Sequence, residues 1–457
     1  MVHKIKGLIS ISRLFFSVFF LIMAVFFASL GATGDKPTYT LADAKKLMAA
    51  TLDEDVMGGG TDPDAILALL KHGQLVIIDE HAKNTKWLIS GGILINTRPE
   101  TLFGVITDAE NYSNFMPMTE GAQMTPLGPN IVDLKLTLKI KIIKGIPAIP
   151  VTYSVIHYHR PPYRSDWTAH TGRFKRNDGF YQFVPVKNDN RTMAFYTVYS
   201  LPRIPLTTDL FKKDPNLELM INMSTAAMVT RALKKRAEHV EKRKPFMPGK
   251  GMGANVIDAL TRDTKTVNLL LARGGLILIE DGPPMYATTA VAINAPPEVS
   301  YKIISDFENY PCYLSQIERT EVIERSEDAA RVAFRLSIDY GIFEIPMEYE
   351  LAYRLKPPHR IEWKWASGDL PSQLGSWTLA PIEGGKRTLG LLRQSVDLKT
   401  LPGLAGAGLR VSISGQPSLE PAIMGSQALI TARSMRDFIH LSPEKKHAKT
   451  EECRKSR

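Results

Sequence analysis

Tyr153 and Tyr349 are the side chains of this 457-residue chain best placed to meet a substrate or ligand. Each falls on the apolar side of an alternating stretch, where a phenol hydrogen-bonds a carbonyl oxygen in a carrier as well as in an enzyme. Three histidines compete with them. His157 and His159 share one strand face and His170 lies on a following strand, a spacing that permits a metal site. Carboxylates recur in Asp108, Glu110, Asn111, Tyr112 and again in Asp306, Glu308, Asn309, Tyr310. They stand at a helix–helix junction, so Asp and Asn are expected to cap backbone groups while Tyr fills the core. Arg164 beside Asp166, and Arg360 beside Glu362, read as turn-stabilising pairs rather than an anion site. Serine elbow, Cys–His pair and Gly-rich phosphate loop are all missing from the sequence, so nothing resembles an activated nucleophile or a nucleotide site.

The elements that must position these residues come in duplicate. INTRPETLFGVITDAENY (95–112) matches INAPPEVSYKIISDFENY (293–310), PPYRSDW (161–167) matches PPHRIEW (357–363), and GFYQFVP (179–185) matches GSWTLAP (375–381). Even the segments before them agree, LLKHGQLVIIDE (69–80) with LLARGGLILIED (270–281). Blocks in one order with small gaps mark two whole domains rather than a solenoid. The duplication also weighs the candidates. Copy two has Tyr353, Leu355 and Ala366 where copy one has His157, His159 and His170, and Asn114 faces Cys312. The shared scaffold needs none of these, so neither a metal nor any other cofactor is expected. The two tyrosines survive the comparison.

Each copy reads as a strand, two short helices, a run of antiparallel strands and one long helix. Pro99-Glu100 and Pro297-Glu298 start the first short helix, where Pro is tolerated and Glu faces the positive end of the dipole. Val132, Leu134, Leu136 and Leu138 alternate with polar residues, as do Val332, Phe334 and Leu336, and then Met347, Tyr349, Leu351 and Tyr353. Such alternation gives a sheet one dry face and one wet face. Stripes at Leu217, Met220, Ile221, Ser224 and Met228, and at Met424, Ala428, Ala432, Met435 and Ile439, predict the closing helices. They are the only elements long enough to cover the sheet.

Lys4, Lys6 and Arg13 precede the apolar run Leu14–Leu30, followed by small residues. This is the pattern of a secretory signal, with a retained N-terminal anchor as the alternative, and it predicts an extracytoplasmic location, periplasmic in a Gram-negative bacterium. The net charge of +10 concentrates in that leader, in Lys234–Lys250 and in Pro443–Arg457, leaving the rest near neutral. A nucleic-acid surface needs clustered charge on a folded face, so nucleic acid is excluded as a partner, while peripheral membrane contact through linker or tail stays open. Cys312 and Cys453 do not make a disulfide framework. The resulting map is signal or anchor 1–32, helical lead-in 33–73, domain 1 at 74–242, basic Pro/Gly linker 243–256, lead-in and domain 2 at 257–442, and a disordered basic tail 443–457.

The N-x-x-P-E…D-x-E-N-Y, P-P-x-R-x-[DE]-W and G-x-W-x-L-x-P patterns, with the final helix, resemble the START-like (SRPBCC) superfamily. The similarity is to its polyketide cyclase/dehydrase and coenzyme Q-binding branch. It covers roughly 86–242 and 285–440 and fits copy two better, because Tyr181 stands where copy two has Trp377. The resemblance implies an α+β fold of two helix-grip domains, each a curved antiparallel sheet wrapped on a long C-terminal helix around a cavity. It implies a hydrophobic ligand, quinone-like, lipid or polyketide-like, lined by Leu136, Tyr153 and Trp167 in copy one. In copy two the lining falls to Phe334, Leu336, Tyr349, Leu351, Tyr353, Trp363, Trp365, Met424 and Ala428. A carrier without catalytic residues is expected. A cyclase/dehydratase-type enzyme on an apolar substrate, or an interaction module with filled cavities, are the alternatives, and an enzyme should show a convergent polar cluster.

Overall fold

In β12 (Ala329–Asp339) and β13 (Glu344–Lys356), Val332, Phe334, Met347, Tyr349, Leu351 and Tyr353 are buried, while Arg331, Arg335, Glu348 and Arg354 are exposed. One face is dry. A computed structural model describes residues 41–48, 55–58, 60–80, 87–140, 149–172, 174–202, 215–247, 253–262, 264–339, 344–400, 410, 413–414 and 417–455. The chain divides into two units, Met1–Gly249 and Lys250–Arg457. The leader 1–32 lies outside the described residues.

Among the described residues, unit 1 starts with helices α1 (Leu41–Met48) and α2 (Pro63–Leu70) and strands β1 (Gln74–Asp79) and β2 (Leu88–Ile95). Short helices α3 (Pro99–Thr107) and α4 (Tyr112–Phe115) follow. Then come β3 (Thr119–Gly128), β4 (Ile131–Ile140), β5 (Ile149–Arg160), β6 (Arg164–Ala169), β7 (Phe174–Pro185), β8 (Thr192–Pro202) and the long helix α5 (Pro215–Val240). The strands form a curved antiparallel sheet in the order β1-β2-β8-β7-β6-β5-β4-β3.

Unit 2 repeats the plan. After α6 (Gly253–Arg262) and α7 (Thr264–Arg273) come β9 (Gly274–Glu280), β10 (Tyr286–Ile293), α8 (Pro297–Ile304) and a 3₁₀ segment Phe307–Cys312. The sheet continues with β11 (Ile317–Arg325), β12, β13, β14 (Arg360–Gly368), β15 (Leu374–Ile382) and β16 (Arg387–Ser395), and α9 (Leu419–Ile439) closes it. Its order is β9-β10-β16-β15-β14-β13-β12-β11, antiparallel throughout. This is the helix-grip α+β architecture, twice.

The long helices pack on one end of each sheet, α5 on β2 and β8 and α9 on β10 and β16. In α9 the expected stripe is buried in full, from Met424 to Ile439. In α5 the sheet-facing residues are instead Leu219, Met223, Ala226 and Ala227, while Ile221 and Met228 turn to a cavity. The stripe expected from sequence mixes two apolar faces of one helix; the Leu217 side chain lies outside the described ones. Helix and strand touch at Gly91, where a Cβ would fall 2.7 Å from the Ala226 carbonyl oxygen.

Tyr112 and Tyr310 fill the core as expected, donating to the carbonyls of Ile106 (2.5 Å) and Ile304 (2.6 Å). Asn111 and Asn309 are not helix caps, however. Each donates through its amide to the aspartate three residues back, Asp108 at 2.9 Å and Asp306 at 2.8 Å. Arg164 and Arg360 hold Asp166 and Glu362 at 2.9 and 2.8 Å, tying down the strands after the Pro–Pro turns.

Trp167 lies opposite Gly179 and Trp363 opposite Gly375, so each indole covers a glycine on the next strand. A Cβ at either glycine would stand 2.3 Å from its indole.

The C-terminal segment corrects the sequence reading. It is a helix, α10 (Pro443–Lys455), bonded through Cys453 to Cys312. Charged composition suggests disorder, but Ser442 accepts at the helix start from the Lys445 amide (3.4 Å) and Pro443 occupies the first helical position. The two cysteines, too few for a framework, nonetheless fasten that helix to the 3₁₀ segment. The linker is also shorter than expected, since α6 starts at Gly253.

Two measurements test these contacts. Reducing the disulfide, or Cys453→Ser, is expected to lower unit 2's stability by about 2–4 kcal/mol, read from urea midpoints. Gly375→Ala is expected to cost about 1–3 kcal/mol by forcing Trp363 aside, with a matching fall in Tm.

Candidate functional site

In unit 1 the sheet curves away from α5 and leaves a cavity of about 140 Å³. Leu134, Leu136 and Leu138 of β4 form one wall and Tyr153, Val155 and His157 of β5 the next. Trp167, Tyr181 and Tyr196 come from β6, β7 and β8, and Ile221 and Met228 from α5. Met116 to Thr119, between α4 and β3, add to the lining. Alternation puts the leucines and aromatics inward on successive strands, so the surface is mainly apolar. Of the residues expected around this pocket, Leu136, Tyr153 and Trp167 all face it.

Several aromatic candidates of unit 2 pack against one another. Phe334 and Tyr349 are cross-strand partners with stacked rings, centroids 5.4 Å apart. Tyr353 lies 4.3 Å from Phe307 and 6.1 Å from Trp363. Leu351 is buried between Val332 and Trp365 in register, and Leu336 is half-buried. Trp365 donates its indole N–H to the Gly368 carbonyl at 3.3 Å. Met424 and Ala428 are buried on α9, and Gln394 donates to the Met424 carbonyl at 3.4 Å.

The histidines serve the scaffold. His157 and His159 share Ser165, whose Oγ lies 2.9 and 3.0 Å from their Nδ1 atoms. The hydroxyl has one proton and can donate to only one of the rings, so at least one imidazole carries its proton on Nδ1. His170 Nε2 bonds Asp133 at 2.8 Å. Burial, helped by His159, pushes the His157 imidazolium down to about 3.

Among the wall residues that sequence reasoning misses, three carry polar groups. Tyr181, Tyr196 and Asn177 face the cavity with Tyr153, and they supply the convergent polar groups that the sequence does not reveal. The ring centroids of Tyr181 and Tyr196 are 5.1 Å apart, and Trp167 lies 5.2 and 5.0 Å from them. Desolvation first, then the neighbouring phenols, pushes the Tyr181 and Tyr196 hydroxyls far up, and burial does the same to Tyr153. The signal in the sequence is the alternation of Tyr196 with Val198 on β8. Matching the two copies hides it, because copy two has Leu392 there.

Residues 95–219 and 293–417 each match the model of one family, polyketide cyclase / dehydrase and lipid transport. The chain belongs to this family, in two copies. No curated protein matches the sequence. Among solved structures, it is similar to the di-domain ARO/CYC BexL from the BE-7585A biosynthetic pathway, with 14% identity over 78% of this chain and 99% of that one, TM-score 0.26. TTHA0849 from Thermus thermophilus is 22% identical over 33% of this chain and 99% of that one, TM-score 0.24. Human STARD10 is 14% identical over 38% of this chain and 73% of that one, TM-score 0.28. Superpositions this loose add nothing to the family assignment.

The His157 environment generates a pH dependence. Its folded-state value lies below the unfolded one, so the stability it contributes is full above about pH 6.5 and is lost as pH falls toward 3, where only the unfolded chain takes the proton. Urea midpoints are expected to fall over that window, and His157→Tyr, the copy-two residue, is expected to flatten the fall.

Proposed function

We propose that this chain is an exported binding protein that holds a hydrophobic small molecule in its helix-grip fold, with the domain-1 cavity as the working site. The observation that carries this reading is the cavity itself, lined by leucine, methionine and aromatic side chains between a curved sheet and a long helix. Membership of a family described by polyketide cyclisation, dehydration and lipid transport supports it. At about 140 Å³ the space is on the order of one that admits a single aromatic ring. A quinone-like or polyketide-like headgroup fits that scale; a lipid chain requires the walls to move.

A cyclase/dehydratase activity is the second reading, favoured by the phenols that converge on the cavity. The titration behaviour weighs against it. Burial drives the phenols far above neutrality and His157 to about 3, so neither exchanges protons readily near pH 7. The groups suit binding better than turnover.

The disulfide supports an extracytoplasmic compartment, since such bonds persist where the milieu is oxidising. The exposed Lys445, Lys449 and Lys455 of α10 support contact with an anionic membrane surface.

Purification from the native host followed by mass spectrometry of the organic extract is expected to recover one small hydrophobic compound in stoichiometric amount. Met228→Trp, which fills the cavity, is expected to abolish its recovery. A wild-type protein that emerges without any such compound sinks the carrier reading.

A further inference from the structure

The tyrosines around the domain-1 cavity differ in how their hydroxyls are used. Tyr112 donates to the Ile106 carbonyl. The hydroxyls of Tyr153, Tyr181 and Tyr196 have no hydrogen-bond partner among the described residues, although Tyr181 and Tyr196 are only 6% and 9% exposed. The Asn177 amide, on the same wall and 9% exposed, is likewise without one among the described residues. Phenylalanine would fill the same volume without leaving a polar group unpaired, so packing alone does not account for three phenols.

Charge narrows the occupant. Among the described residues no Lys, Arg, Asp or Glu lines the cavity. An ionised ligand would leave water with nothing to offset its desolvation. Protonated phenols are donors, so a neutral ligand must present acceptor oxygens to them.

Domain 2 provides the internal control. Tyr181 pairs with Tyr196 across β7 and β8, and the equivalent pair across β15 and β16 is Trp377 with Leu392. Two of the three hydroxyls are therefore missing. The third, on Tyr349, has Gln373 beside it to lower its pKa, and Gln373 stands at the position of Asn177.

We propose that domain 1, and not domain 2, binds a neutral aromatic ring bearing carbonyl or hydroxyl oxygens, with Tyr153, Tyr181 and Tyr196 as the residues that select for those oxygens. The assignment rests on the ligand-binding reading of the cavity and goes beyond it in naming the ligand chemistry and the domain.

Calorimetric titration of the full chain at about pH 6.5 tests both levels. The probes are 4-hydroxyacetophenone, its apolar isostere 4-isopropyltoluene, and the anion 4-hydroxybenzoate. Wild type is expected to prefer 4-hydroxyacetophenone over both others by at least about ten-fold. Tyr181→Phe and Tyr196→Phe are each expected to weaken it by about five-fold while leaving 4-isopropyltoluene unchanged. Tyr349→Phe is expected to change nothing, and unchanged thermal melting certifies each variant's fold. If 4-isopropyltoluene binds as well as the ketone, or if the unit-1 variants bind the ketone like wild type, the oxygen selection is overturned and ligand binding stands. A loss in Tyr349→Phe overturns the restriction to domain 1. If no probe binds wild type, both the selection and the underlying reading fall.

Discussion

One long helix must cover a sheet wider than itself. In each unit it packs on the strands at one end, β1, β2 and β8 or β9, β10 and β16, with the backbone of α5 pressed against Gly91 in the first. Every other strand carries apolar residues on the same face, and they must find cover elsewhere. Curving the sheet toward the helix and the short-helix segment solves this. The curvature brings the far strands β4 to β7 opposite α5, and the space that side chains do not fill becomes the cavity.

The two units meet this constraint with different side chains. In unit 2, Phe307, Phe334, Tyr349, Tyr353 and Trp363 form a contiguous set of ring contacts. In unit 1 the position of Tyr353 is held by His157, and that of Phe334 by Leu136, a smaller side chain in each case. Smaller side chains on β4 and β5 leave room, and phenols from β7 and β8 look into it. Sequence comparison finds copy two the closer match to the family pattern. Agreement with a pattern reports the scaffold, whereas the domain-1 cavity is lined where copy one departs from it.

The same logic explains what is legible in the sequence. Strand alternation, the Pro-Glu helix starts, the tyrosine plugs and the Trp–Gly strand pairs are demands of the fold, so both copies keep them and self-comparison finds them. Tyr181, Tyr196 and Asn177 are demands of one cavity, so self-comparison discards them. The α5 stripe misleads for a related reason. A helix that faces a sheet on one side and a cavity on the other has two apolar faces, and periodicity alone does not say which is which. In the tail, charged composition masks a local start sequence, Ser442-Pro443-Glu444, whose capping chemistry is plain once looked for.

The bond between Cys312 and Cys453 spans 141 residues. Strands β11 to β16 and helix α9 all lie inside that span, so most of unit 2 is a covalent ring rather than a linear segment. A protease that severs any one loop within the ring does not release a fragment; it converts the ring into two chains still joined at the sulfurs. The domain thus keeps a covalent tie across a single cut that unit 1, which has no cysteine, lacks.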